Sequence, residues 1–242
     1  MMGMTRKRSL IYRSRLHVLA TVFFLLLPFA FFFFYAQLTS LSTGDLFSDV
    51  LVSCVRMIVA YVIAAVLGWV MAVAFYSGRR ALVALPLFDV LQSFPTFAAL
   101  PLAVLKFGNG NTTVIFFLMI NILWPVFFTI ISSLKLSKHE WKEAMQIYQV
   151  RGWQYVKQYL LPVTIPGLIT GSIIGLGDGW EALVATEMIV APKKGMGVFF
   201  QAFSNNPTIT ALGIFGLLLL IFVVNKLLWL PLLEWSHRTM EA

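Results

Sequence analysis

Residues 143–162 read EAMQIYQVRGWQYVKQYLLP. Charged and amide side chains run through this stretch, which closes on Leu-Leu-Pro. The chain on either side is almost wholly apolar: NTTVIFFLMINILWPVFFTIISSL fills 111–134, and VTIPGLITGSIIGL begins at 163. Only 12% of the 242 residues are charged and 60% are hydrophobic, against about 25% charged in a soluble domain. Apolar runs near the 20 residues that cross a bilayer core recur along the chain. Backbone inside lipid must satisfy its own N–H and C=O groups, and the two-residue alternation of barrel strands is absent. The sequence therefore predicts an all-α membrane protein. The opening stretch belongs to a connection over 135–162, far longer than the roughly 2–8 residues usual between packed helices.

Six spans are expected, over 17–38, 50–76, 82–106, 111–134, 163–190 and 208–227. They give one transmembrane domain over 1–242, with a terminal arm at 1–16, a six-helix core at 17–227 and a tail at 228–242. The N-terminal run mimics a signal peptide, but its apolar stretch, Val18 to Ala36, is too long and lacks a small-x-small cleavage site. It reads as an uncleaved first span. Pro86, Pro95 and Pro101 predict kinks in span three. Two small-residue ridges, Ala64-Gly68-Ala72 and Gly171-Gly175-Gly179, predict close helix packing. Segments 39–49 and 227–235 read as lying in the membrane interface.

The net charge of +8 would suggest nucleic acid in a soluble protein, but here the cations sit between spans. Arg6, Lys7, Arg8, Arg13, Arg15, Arg79, Arg80, Lys135, Lys138, Lys142, Arg151, Lys157, Lys226 and Arg238 are 14 of the 18 Lys and Arg residues. Six spans place all of them on one side, leaving Lys106, Lys193 and Lys194 on the other and Arg56 inside span two. The positive-inside rule makes the rich side cytoplasmic, with both termini there.

Few residues suggest catalysis. There is no P-loop, and no zinc-protease, nucleophile-elbow or C-x-x-C pattern. Cys54 is the single cysteine, and His17, His139 and His237 lie far apart, so no metal site is expected. Acids within a span are costly and face a bundle interior or water. Asp178 and Glu181, three apart, share a helix face. Glu187 falls about half a turn out of phase with Asp178, so the three do not converge. Two readings stay open for them: lining a pathway, or bonding to a neighbouring helix, with Arg56 as one partner for such a carboxylate.

The connection itself has a helical stripe of Trp141, Ala144 or Met145, and Tyr148. That stripe either packs on the chain's own spans or docks in a partner's groove. Glu143-Ala144-Met145, closing on Leu161-Pro162, resembles the EAA loop of permease subunits of bacterial ABC importers. SFPTFAALPLAVLKFGNG (93–110), GWEALVATEMI (179–189) and Gly195-Met196-Gly197 resemble signatures of the nitrate/sulfonate/taurine branch of that family. The loop departs from the pattern at Gln149, where a glycine usually turns the chain. Gly152 is the only glycine nearby, and a turn moved there would lengthen the docking helix.

The resemblance implies a type I ABC importer permease fold, with a cytoplasmic coupling helix between helices 4 and 5. It implies a second permease chain, identical or paralogous, two ATPase subunits that bind ATP and magnesium, and an extracytoplasmic binding protein. This chain would hold no cofactor and catalyse nothing. Trp141, Glu143, Ala144, Met145, Tyr148, Gln149, Gly152 and Pro162 become the coupling residues. Arg56, Pro95, Pro101, Asp178, Trp180, Glu181 and Glu187 become pathway or gating candidates. The expected solute is a small oxyanion such as nitrate, a sulfonate, taurine or bicarbonate. The alternatives are a thiamine-precursor-like molecule, a stand-alone proton-coupled carrier using the span-five acids, and a membrane scaffold without transport.

Overall fold

A computed structural model of the chain describes residues 22–39 except Leu25, 42–137, 139–229, and residues 231, 232 and 236. The expectations for 1–16, the start of span one, Lys138 and Arg238 lie outside the described residues. Regular structure among the described residues is helical throughout. Helix α1 covers Val22–Thr39 and α2 covers Thr43–Phe75. Helix α3 is Gly78–Gln92. A 3-10 turn at Thr96–Ala99 leads into α4, Leu100–Phe107. Then come α5, Asn111–Leu136, and α6, His139–Ile147. The long α7, Trp153–Val190, includes a π turn at Val156–Leu160. Helix α8 is Met196–Ala202, and α9, Pro207–Val224, runs on into a π turn at Asn225–Trp229.

Five of these helices are long and apolar enough to cross a membrane, or six if the bent pair of α3 with Thr96–Phe107 is one span. That pair corrects the expected single kinked helix over 82–106. It bends by 74°, because Pro95 supplies no N–H and its ring pushes Phe94 out of the helical region. Helix α3 stops at Gln92, and the chain restarts at the 3-10 turn. Pro101 sits in the first turn of α4, where its missing N–H costs nothing. The supposed interfacial segment 39–49 is not separate either, since α2 already starts at Thr43. Of segment 227–235, residues 225–229 continue α9, and 233–235 lie outside the described residues.

The described chain forms two compact units, one ending at Phe47 and resuming over Phe203–Pro231, the other built on Ser48–Ala202. In the first, Tyr35 donates to the Ile209 carbonyl at 2.6 Å. Phe31 and Phe32 close over Gly216, where a Cβ would lie 2.8 Å from the Phe31 ring. Asn206 caps α9 by accepting the Ile209 N–H, with Pro207 next in line.

In the second unit α5 is the central post. Gly167, Gly171, Gly175 and Gly179 of α7 all face it, and a Cβ on any of them would press on α5 atoms. Gly68 of α2 meets Val126 on the same post, between buried Ala64 and Ala72. The two small-residue ridges therefore do what their spacing predicts: they let backbones approach closely. Trp69 donates to Thr164 at 2.9 Å, and Tyr61 shares a hydrogen bond with Ser172 at 2.8 Å, tying α2 to α7.

A Cβ at Gly171 would fall 2.6 Å from the Val126 Cα, whereas Gly177 has nothing within 4 Å. Gly171→Ala is expected to destabilise by about 1–3 kcal/mol, as overpacking does. Gly177→Ala should be neutral or slightly stabilising. Thermal unfolding of both variants in the same detergent checks the contrast.

Candidate functional site

Three constellations in the second unit bring the polar residues of the spans together. The first is a buried ion pair. Arg56 of α2 and Glu187 of α7 are 4% and 0% exposed, and Nη1 of Arg56 meets Oε1 of Glu187 at 2.5 Å. Neither charge depends on the other alone. Arg56 also donates to Oδ1 of Asn111, the first residue of α5, at 3.1 and 2.7 Å, and to the Lys194 carbonyl at 2.8 Å. Glu187 accepts from the Ser53 hydroxyl at 2.9 and 3.0 Å and from the Gly197 N–H at 2.9 Å. Ser53 in turn accepts the Met196 N–H at 2.9 Å, and Asp49 accepts the Gly195 N–H at 3.0 Å.

This network explains Gly195-Met196-Gly197 physically. Gly195 has φ +148, and a Cβ there would lie 2.5 Å from Oε2 of Glu187. A Cβ on Gly197 would lie 2.4 Å from the Val184 carbonyl. Only bare backbone lets two N–H groups reach the carboxylate and the hydroxyl beside it. Helix α7 ends just before, at Ala191, whose φ of 46 is left-handed, and Pro192 prevents resumption. The pair thus fixes the turn between α7 and α8 to α2 and to the start of α5. The sequence offered Arg56 as one partner for a span-five acid and left a pathway role open for both; the structure pairs it with Glu187. The sequence did not find Ser53 or Asn111, although Ser53 lies three residues before Arg56 on the same helix face.

The second constellation is a cavity of about 340 Å³ at the bend of the broken span. Gln92, Phe94, Thr96 and Phe97 line it from the bend, Asn121, Trp124 and Pro125 from α5, and Asp178, Glu181 and Ala182 from α7. Asp178 and Glu181 share this wall, as their spacing implies, and Glu187 lies apart in the ion pair. Of the other pathway candidates, Pro95 makes the bend without lining the cavity, and Trp180 and Pro101 are not among its wall residues. Gln92, Asn121 and Trp124 were missed. They are single polar or amphipathic side chains in apolar runs, and only the packing puts them beside the acids.

The third constellation is the opening stretch. The expected loop over 135–162 is mostly helix. Helix α5 reaches Leu136, α6 fills 139–147, and α7 starts ten residues before the expected 163. The turn stays at Gln149, which corrects the displacement to Gly152. Gln149 has φ 52. The Val150 N–H bonds to the Met145 carbonyl at 2.9 Å and the Gln149 N–H to the Gln146 carbonyl at 3.1 Å. That is the paired 6→1 and 5→2 pattern of a Schellman ending, here made with glutamine in the left-handed seat. Helix α6 is therefore not lengthened. Gly152, with φ 59 and ψ −133, makes a second bend into α7.

The stripe also divides. Trp141 turns inward, lining a cavity of about 390 Å³ with Ser133, Ser137, Thr170 and other residues of α5 and α7. Ile147, Tyr148 and Trp153 are 77%, 77% and 73% exposed. Glu143, Gln149 and Pro162 are also exposed, and Ala144 and Met145 partly so. Since a left-handed non-glycine residue costs about 1–2 kcal/mol, Gln149→Gly is expected to stabilise the turn, by about 1 kcal/mol after the flexibility gained when unfolded. Slower amide exchange at Val150 would register it, and faster exchange would refute it.

A family described as binding-protein-dependent transport system inner membrane component matches residues 64–229. The chain is 29% identical over 182 residues to the nitrate import permease protein NrtB of Leptolyngbya laminosa, covering 72% of this chain and 65% of that one. It is 26% identical over 203 residues to the bicarbonate transport system permease protein CmpB of Synechococcus elongatus, covering 81% and 71%. It is 33% identical over 117 residues to the taurine transport system permease protein TauC of Escherichia coli, covering 48% and 42%. The chain spans 65% and 66% of two relatives named as nitrate permeases. The multi-pass helical fold, with its broken span and its helix between α5 and α7, agrees with the type I ABC permease architecture. The matched region takes in the acid-lined cavity, Glu187 and the α6 turn, and the chain belongs to the binding-protein-dependent transport system inner membrane component family.

Proposed function

We propose that the chain is the membrane-spanning permease subunit of an ATP-driven importer. The observation that carries this reading is α6. It is a short helix closed by a defined turn: Trp141 lines a cavity with residues of α5 and α7, and Ile147 at its end, Tyr148 in the turn and Trp153 at the start of α7 are exposed. A helix anchored inward and apolar outward suits docking in the groove of a partner. The partner is an ATPase, because this chain has no phosphate-binding loop of its own. ATP-driven closure of two such ATPases would move α6, and through Trp141 the inner ends of α5 and α7. A second permease chain, identical or paralogous, completes the pathway, and a binding protein delivers the solute from outside. ATP and magnesium stay on the ATPase.

The bent pair counts as one span in this reading, since only then do Arg79 and Arg80 share a side with the cations around α6. That places both termini and α6 in the cytoplasm and the protein in a plasma or inner membrane. The relatives' names point to small solutes: nitrate, bicarbonate and taurine. The test is to purify the chain from its native host with its neighbours intact. An ATPase bearing a P-loop should co-purify, and vesicles holding the assembly should take up solute only with ATP. Uptake by the chain alone under a pH gradient, with no ATPase bound, would favour a proton-coupled carrier built on Asp178 and Glu181.

A further inference from the structure

Two routes connect the exposed side chains around α6 to the spans. One runs through Trp141, which borders a cavity of about 390 Å³. A side chain at a cavity has fewer atoms to push against, so it passes displacement on poorly. The other runs through Tyr159, close behind the exposed Trp153 and only 3% exposed itself. The Tyr159 hydroxyl lies 2.9 Å from Oγ of Ser137. Ser137 gives its own proton to the Leu134 carbonyl at 2.9 Å, so Tyr159 is the donor. Helix α5 stops at Ser137, where a ψ of 140 turns the chain out of the helix and towards α6. Tyr159 therefore joins the start of α7 to the junction of α5 with α6. The Tyr155 ring lies 5.0 Å from the Tyr159 ring, and Tyr155 shares a hydrogen bond with Tyr76, between α2 and α3. One cluster gathers the end of α2, the end of α5 and the start of α7.

Tyr159 also stands in the π turn of α7. The Leu161 N–H reaches back five residues, to the Val156 carbonyl, instead of four. Pro162 gives the reason. It has no N–H for the Gln158 carbonyl, and its ring pushes that carbonyl aside, so the turn before it opens. Such single π turns recur at functional sites. Closing this one would rotate Trp153 and Tyr155 by about 100° relative to the rest of α7, one residue's share of an α turn. The Tyr159–Ser137 bond holds the open turn in one register against the end of α5.

We propose that Tyr159 is a positioning residue for coupling: through its bond to Ser137, displacement of α6 and Trp153 by an ATPase moves the adjoining ends of α5 and α7 as one body. The hydroxyl carries this role, because a phenylalanine ring would fill the same space without the bond. The inference deepens the permease reading and rests on it, but the bond's grip on the two helices can be read without transport.

The experiment removes the bond from either side, with Tyr159→Phe and with Ser137→Ala, in the transporter assembled with its ATPase. ATPase co-purification and the rate of hydrolysis should hold within about twofold, while uptake per ATP hydrolysed falls about fivefold. The double variant should be no worse than either single one, as for two halves of one contact. Ser137→Thr, which keeps the hydroxyl, should keep the parent ratio. An unchanged ratio in both single variants, or single losses that multiply in the double one, overturns the proposal. So does a parallel fall of hydrolysis and uptake, which loss of folded protein alone would give.

A second arm places nitroxide labels at Leu136→Cys and Gln154→Cys, both exposed positions, in a Cys54→Ala background of the full chain in lipid nanodiscs. Their spacing reports how firmly the end of α5 is held to the start of α7. Tyr159→Phe should broaden the distance distribution, and an unchanged width overturns the proposal. Broadening with uptake per ATP unchanged overturns the coupling role and leaves the permease reading standing. Broadening in a chain whose parent shows no ATP-dependent uptake overturns the permease reading, and the coupling role with it.

Discussion

Glu187→Ala is expected to destabilise the protein by about 3–5 kcal/mol, because it leaves Arg56 buried without its counter-charge. The loss reaches further than one pair. Glu187 also holds the Gly197 N–H and the Ser53 hydroxyl, so the turn into α8 loses its anchor at the same step. Arg56→Ala should cost a similar amount, since each single loss leaves the other charge buried with two neutral partners, Ser53 and Gly197 for Glu187 and Asn111 and the Lys194 carbonyl for Arg56. The double replacement Arg56→Met with Glu187→Met removes both charges and should recover much of the loss, as apolar replacements of buried pairs do. Thermal unfolding of the three variants in one detergent measures this. Single losses that simply add in the double variant would show that the charges do not depend on each other.

The second large effect belongs to the exposed residues at the end of α6, in the turn after it and at the start of α7. Tyr148→Asp and Trp153→Asp should each remove about 2 kcal/mol or more of ATPase docking, a weakening of about 30-fold. Glu143→Lys should act in the same direction by reversing a charge at the docking surface. The chain itself should insert and unfold as before, because Tyr148 and Trp153 are largely exposed and surface changes stay within about 0.5 kcal/mol. Co-purification of the ATPase and ATP-driven uptake are the two readouts. If the ATPase remains bound and uptake is unchanged, α6 is not the coupling element.

The acid-lined cavity and the ion pair also separate two roles that the sequence left joined. Asp178, Glu181 and Glu187 are acids within one stretch of ten residues. One helical face leads to a solvent-sized cavity, the other to a sealed cluster. Asp178 and Glu181 line the cavity, whereas Glu187 is tied into the buried cluster with Arg56, Ser53 and Gly197. Mutations on the two faces should therefore differ in kind: changed selectivity without loss of stability for Asp178 and Glu181, loss of stability for Glu187.

The sequence alone determined the class of structure and much of its order. Apolar runs of membrane length can only be helices, because lipid offers the backbone no partners. The small-residue ridges of α2 and α7 named the packing faces, because only small side chains permit such approach. Local chemistry predicted kinks at Pro86, Pro95 and Pro101 without singling out Pro95 as the break, and an amphipathic helix within 135–162. It also left Gln149 in doubt: a rule about which residue prefers a left-handed seat does not say when tertiary structure will force another into it.

The rest depended on contacts between residues far apart in the chain. Ser53 and Asn111 around the ion pair, and Gln92, Asn121 and Trp124 around the cavity, are isolated polar side chains without a period or a motif. Their meaning comes from α2, α5 and α7 crossing at particular heights, which no local pattern encodes. The inward turn of Trp141 and the outward display of Tyr148 likewise follow from where α6 rests on α5 and α7. The opening stretch announced a connection that had to leave the membrane; only the packed structure decided which of its side chains turn inward and which stay exposed.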